Sequence, residues 1–211
     1  MPRPPAPSAY ARTVAPETSF PRLSGSADVS VRPARAEDAA EIARIQVVTW
    51  RTAYRSILPT AVLDDWDEEA ATASWRAAAS TPPTPGHGVL VALEAGTPVG
   101  FAAFGPAELT AEEHPHPSGP TAELSTLLVE PRWGRRGHGS RLLAAAVDIV
   151  RAAGTRRLQV WLPEADQASA NFFESAGWAP DGWARTLDTG TAPLREIRWH
   201  TLLDDEAGSD A

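Results

Sequence analysis

The 211-residue chain contains no cysteine. That excludes disulfides, thiolate metal sites and cysteine nucleophiles together. Lysine is missing as well: all 19 basic residues are arginine, in keeping with GC-rich codons. No apolar run approaches the roughly 18–20 residues of a membrane span. The stretch "MPRPPAPSAYARTVAPETSFPRLSGSAD" lacks the apolar segment of a secretory signal. A cytoplasmic protein with no membrane partner is expected. Acidic residues outnumber basic ones, 27 to 19, for a net charge of −8. Nucleic acid is therefore not the expected partner, because phosphate binding needs a basic excess. The same balance mildly favours an amine-bearing partner.

What is present divides simply. Residues 1–28 are rich in Pro, Ala and Ser without apolar periodicity and read as a disordered tail. Residues 204–211, "DDEAGSDA", read as a short acidic tail. Between them, 29–203 form one domain, long enough for a sizeable core. Its elements alternate. "VSVRPA" reads as a strand and "RAEDAAEIARIQVVTWRTAYRSI" as a helix limited by Pro59. Asp65 or Asp67 is placed to cap a further helix running to about Ala79. "HGVLVALEAGTPVGFAAFGPA" reads as a hairpin turning at Ala95-Gly96. "TAELSTLLVE" is a strand, and Gly137 to Ala153 a helix that buries Leu142, Leu143, Ala146, Ile149 and Val150. "RRLQVWL", "DQASANFFESAG" and "LREIRWHTLL" follow as strand, helix and closing strand. This order predicts an α/β domain with a mixed sheet in a single layer.

The chemistry concentrates in "VEPRWGRRGHGSRLL", residues 129–143, a bare and strongly cationic turn from strand to helix. Such a helix start leaves backbone N–H groups unpaired and carries a partial positive charge. Glycines let a ligand reach those groups and arginines add charge, so Gly134, Arg135, Arg136, Gly137, His138, Gly139 and Ser140 form a candidate site for phosphate or pyrophosphate. There is no Gly-Lys-Ser/Thr, and the spacing G-x-x-G-x-G is not the dinucleotide fingerprint.

"ELSTLLVEPRWGRRGHGSRLL" resembles motif A of the GNAT superfamily of N-acetyltransferases, whose Gln/Arg-x-x-Gly-x-Gly/Ala pattern holds the pyrophosphate of acetyl-CoA. Here Gly134 stands at the first position, with Arg135 or Arg136 to supply the cation. "VSVRPARAEDAAEIARIQ" is similar to the family's first strand and helix, "NFFESAGW" to its late helix and strand, and "TWRTAYRSILPTAVLDDW" to the Trp-x-x-Ala-Tyr segment of many bacterial members. The resemblance implies a mostly antiparallel sheet flanked by helices, with acetyl-CoA as cosubstrate and no metal.

It also implies roles. The backbone of Leu127, Leu128 and Val129 would bond the pantetheine arm where two strands splay apart. Glu123 would be the general base, since an amine is mostly protonated at neutral pH and must lose a proton. On an unbroken strand Glu123 shares a face with Ser125, Leu127 and Val129. His114 and His116 in "EEHPHP" are further base candidates. The family's phenolic acid falls on Phe173, which has no proton to give, and its upstream Asn on Asp166. Ser169, Asn171 or a water would then assist the thiolate. Trp50 and Tyr54, one helical turn apart, are acceptor-cleft or core residues. The acidic run Asp64, Asp65, Asp67, Glu68 and Glu69 reads as a solvated helix start.

The expected activity is acetyl transfer to a primary amine of a small molecule or peptide. A protein N-terminus or lysine as acceptor, and a catalytically weak acyl-CoA sensor, stand as alternatives. The sequence leaves a homodimer open.

Overall fold

The computed structural model describes residues 28–108, 117, 119–190 and 192–203. His114, His116 and the expected tails, apart from Asp28, lie outside them. Strand β1, Val29–Pro33, leads through a 3-10 turn at Ala36–Asp38 into helix α1, Ala39–Ala53. Asp38 makes that corner. Its carboxylate accepts from Arg32 at 2.7 and 2.9 Å and from the Arg35 backbone N–H at 2.7 Å. A short helix α2, Thr60–Asp64, absent from the sequence reading, separates α1 from α3, Glu68–Ser80. Asp67 caps α3 by accepting the Ala70 N–H at 2.9 Å.

Strands β2, Gly88–Glu94, and β3, Thr97–Pro106, form the expected hairpin. Ala95 and Gly96 take φ of 48° and 81°, as a two-residue primed turn requires. Then come β4 (Thr121–Val129), α4 (His138–Ala152), β5 (Arg157–Pro163) and α5 (Gln167–Ser175). A hairpin of β6, Ala179–Asp188, and β7, Pro193–Leu202, closes the domain. Periodicity shows only β7. In β6 most residues are exposed, so no apolar alternation marks it.

The seven strands form one sheet in the order β1-β2-β3-β4-β5-β7-β6, antiparallel at every junction except β4–β5. The expected mixed, mostly antiparallel α/β fold is thus the one observed. On one face, Leu142, Leu143, Ala146 and Val150 of α4 pack with Ala102, Leu124 and Leu158. Ile149, expected among them, is 41% exposed. On the other face, Ile42 and Ile45 of α1 pack with Val89, Val91, Phe101 and Leu128.

Strands β4 and β5 pair over three rungs only: Thr121–Arg157, Ala122–Leu158 and Glu123–Gln159. Beyond Glu123 they part. On its other edge β4 stays paired with β3, and the register slips at Ser125, between the rungs Leu124–Phe104 and Thr126–Ala103. Ser125 is therefore the extra residue of a β-bulge, which bends its strand and raises its twist. The bulge also reverses parity. Leu124, Leu127 and Val129 all face the α4 core, whereas Leu128 faces the α1 core. Glu123 thus shares a face with Leu128, not with Leu127 and Val129 as an unbroken strand would give.

The end of β4 is pinned to α1. Arg44 Nη2 and Arg132 Nε donate to the buried Glu130 carboxylate at 2.8 and 2.7 Å. Burial pushes the Glu130 carboxyl up, but the two guanidiniums outweigh it and hold it below its ordinary range.

Asp38 provides a test of the β1–α1 corner. The bond from Arg32, against the upward push of burial, holds its carboxyl below the ordinary value. A depressed folded value adds stability above the unfolded pKa of about 3.9, and that stability is lost as pH falls below it. Asp38→Asn is expected to cost about 2 kcal/mol at neutral pH in denaturant unfolding. Its deficit against wild type should shrink below about pH 4.

Candidate active site: two cavities meeting at a strand gap

The turn after β4 folds as its composition suggests. Pro131–Trp133 make a 3-10 turn, Arg135 takes φ of 61°, and Gly137 is the α4 N-cap at φ 79°. No side chain caps α4. Its first N–H groups therefore remain for a ligand. They border a groove of about 780 Å³ whose walls include Gly134, Arg135, Gly137, His138, Gly139 and Ser140. Leu127 and Val129 line it from β4, and Asn171 and Phe173 from α5. Gly139 is snug: a Cβ there would lie 3.5 Å from the Phe172 ring.

Arg136 and Asp166, expected in the groove, are turned elsewhere, as is Leu128. Arg136 does not line it. Its Nη1 donates to Glu94 at 2.7 Å, and its guanidinium lies 4.9 Å from the Trp133 ring centroid. Arg135 is thus the cation of the pair that faces the groove. Asp166 is buried as the N-cap of α5, accepting from the Ser169 N–H at 3.0 Å and the Ser169 hydroxyl at 2.6 Å. Its carboxylate serves the helix start, so it does not line the groove. His138 reaches the wall but its ring is buried, with Nε2 2.7 Å from Glu94 Oε2. Glu94 thereby fastens the end of β2 to the turn through both Arg136 and His138. Trp133, Ala168, Ser169 and Phe172 also line the groove. Of these, the sequence reading singles out Ser169, while no local pattern marks Ala168 or Phe172.

On the opposite side of the gap lies a second cavity of about 310 Å³. Trp50 and Tyr54 line it, and both also pack against the α1 core. Leu128 lines this cavity and not the groove, because the bulge turns it to the α1 face. Leu127, Ser169 and Phe173 belong to both walls. The two cavities therefore meet where β4 and β5 part.

Tyr54 is anchored at this junction. Its phenol hydrogen-bonds with Ser169 and Asp166, and burial, with the Asp166 charge, pushes it well above its ordinary value. It stays neutral and acts as a donor, not as a base. Glu123 sits at the last β4–β5 rung, its Oε2 accepting from Gln159 Nε2 at 3.0 Å. It lines neither cavity surface. A polar chain continues behind it: Arg157 Nη1 donates to Gln159 Oε1 at 3.0 Å, and Arg157 and Arg198 both bond Asp181. Glu196, which the sequence reading missed, lines the second cavity and accepts from Arg185 Nε at 2.6 Å. Among the described residues no cluster suited to a metal ion occurs, and no helix is long and apolar enough to cross a membrane.

Comparison with known proteins decides the family. Residues 44–178 match the acetyltransferase (GNAT) family. The chain belongs to that family. It is an N-acetyltransferase. It is 31% identical over 137 residues to the uncharacterized N-acetyltransferase YuaI of Bacillus subtilis (strain 168), covering 64% of this chain and 72% of that one. Solved structures share the fold. One is yncA of Salmonella typhimurium with acetyl-CoA, at TM-score 0.62, 22% identity and coverage of 88% and 99%. Another is PaiA N-acetyltransferase of Thermoplasma acidophilum with coenzyme A, at 0.61, 16%, and 82% and 98%. A third is ribosomal-protein-alanine N-acetyltransferase of Brucella melitensis, at 0.63, 21%, and 82% and 99%.

The two neighbouring arginines give the test of the groove. Arg135→Ala is expected to weaken coenzyme A binding about tenfold, the loss of one charge-assisted bond. Arg136→Ala should weaken it by less than about threefold, because an exposed ion pair contributes little. Titration calorimetry on both variants reads the difference.

Proposed function

We propose that this chain transfers the acetyl group of acetyl-CoA to the primary amine of a small molecule, by direct attack across the β4–β5 gap. The observation that carries this reading is the junction: a groove that ends on an uncapped helix start opens at Leu127, Ser169 and Phe173 into a separate cavity. A nucleophilic amine and the thioester whose carbonyl carbon it attacks need such opposed approaches. The groove suits the cosubstrate: backbone N–H groups and Arg135 at the pyrophosphate end, the unpaired β4 edge at the pantetheine end. When bound, acetyl-CoA supplies a thioester, whose C–S bond breaks as the C–N bond to the amine forms.

The chain's own groups do the rest. Glu123 takes the amine proton through a water, since its carboxylate lines neither cavity. The neutral amide of Gln159 orients that carboxylate without the charge neutralisation an arginine would bring. Beyond Glu123, the β4 edge toward β5 carries no ladder partners, so its N–H groups are available to the carbonyl oxygen. Phe173 has no proton to offer the departing sulfur. Ser169, the hydroxyl common to both cavities, meets it instead by turning its one O–H from Asp166 Oδ2 to the sulfur, with the Tyr54 phenol behind it. A thiol pKa near 8.5 makes the thiolate a tolerable leaving group without a dedicated acid.

Release of coenzyme A, followed with a thiol-reactive dye, tests the reading without background from a cysteine-free protein. Glu123→Gln is expected to lower kcat about a hundredfold, the low end for loss of a general base, with acetyl-CoA affinity kept. Ser169→Ala should lower kcat less, by about threefold to tenfold, for one hydrogen bond to the leaving group. Undiminished turnover in Glu123→Gln would remove Glu123 from the mechanism. Tight acetyl-CoA binding with no turnover on any amine would overturn the transfer reading in favour of a sensor.

A further inference from the structure

The acceptor cavity has a composition that bears on what enters it. Its broad walls are apolar: Trp50, Leu58, Leu128, Trp161, Leu187 and Leu194. Its polar side chains are the hydroxyls of Ser125, Thr126, Thr189, Ser169 and Tyr54 and one carboxylate, Glu196. Among the described residues, no arginine or histidine lines it. The nearby cations are engaged. Arg185 donates to Glu196 at 2.6 Å and stacks 4.4 Å from the Trp161 ring centroid. Arg198 bonds Asp181 at 2.8 Å and lies 5.4 Å from the same ring.

Each class of primary amine meets these walls differently. A free amino acid brings a carboxylate, whose burial is costly without a cation to pair it. A polyamine brings a second ammonium, yet the cavity's carboxylate is already bound to Arg185. A peptide brings amide groups that need partners along walls of leucine and tryptophan. An amine whose remainder is aromatic or branched and uncharged loses little and gains the burial of its body. A volume of about 310 Å³ lies at the small end of ligand cavities, which run from roughly 300 to 1,000 Å³.

We propose that the acceptor is a small primary amine with an apolar, uncharged body of the arylalkylamine type, selected against carboxylate-bearing amines. This rests on the acetyl-transfer reading for its turnover but not for its binding. 2-Phenylethylamine and phenylalanine differ by the one carboxylate in question.

The experiment compares kcat/KM for 2-phenylethylamine, phenylalanine, spermidine and an alanine-initiated peptide at saturating acetyl-CoA. In parallel, tryptophan fluorescence of the full chain with coenzyme A reports binding of each amine beside Trp50 and Trp161. Phenylethylamine is expected to exceed phenylalanine at least about a hundredfold in kcat/KM, the scale of one unpaired buried charge. Leu187→Arg, on the exposed strand β6 where it should fold normally, supplies a cation and is expected to raise phenylalanine turnover at least about tenfold. Saturable binding of phenylethylamine without turnover would support the cavity's preference and sink the transfer reading. Turnover that favours phenylalanine, spermidine or the peptide would overturn the preference and leave the transfer reading standing. Neither binding nor turnover of phenylethylamine would also overturn it.

Discussion

Everything functional in this domain depends on β4 and β5 ceasing to pair after Glu123. An interior gap in a sheet is costly, because each exposed backbone N–H and C=O must find another partner. The Ser125 bulge makes the separation permanent by bending β4 while leaving its β3 ladder in place. The same inserted residue sets which side chains face which cavity. It turns Leu127 to the α4 face of the sheet and puts Leu128 and Glu123 on the α1 face. One extra residue thus fixes both the opening and the order of groups around it.

Charge is used mainly to hold that arrangement. Glu130 fastens the end of β4 to α1 through Arg44, and Glu94 fastens the motif turn to β2 through Arg136 and His138. Asp181 gathers Arg157 and Arg198 behind the acceptor cavity. These anchors put the acidic excess of the chain to structural use. They also explain why two adjacent arginines of one turn have different roles. Arg136 is within reach of Glu94 and closes on it, while Arg135, at positive φ, is directed to the groove.

How far the sequence could be read follows from how local each feature is. The groove turn is contiguous, residues 134–140, and its glycines and arginines are meaningful together before any fold is known. The acceptor cavity gathers Trp50, Ser125, Trp161, Leu187 and Glu196 from five separate elements, so no spacing announces it. Glu196 stands in a strand that alternates polar and apolar residues like many others. The face of Glu123 could not be assigned because parity depends on the bulge, and Ser125 carries no mark of being one. Asp166 is a different case: Asp just before a helical stretch is a favoured N-cap, a signal legible in the sequence.

The three-rung contact between β4 and β5 also has a mechanical meaning. The sheet is two leaves, β1-β2-β3-β4 and β5-β7-β6, stitched along a short seam and backed by the shared core under α4. Force or thermal strain applied across the leaves concentrates at that seam, as load does at the root of a notch. On the proposed function, a pantetheine chain in the notch would act as a splice, bonding to one leaf while wedged against the other. The weakest line of the domain would then be the one its own cosubstrate reinforces.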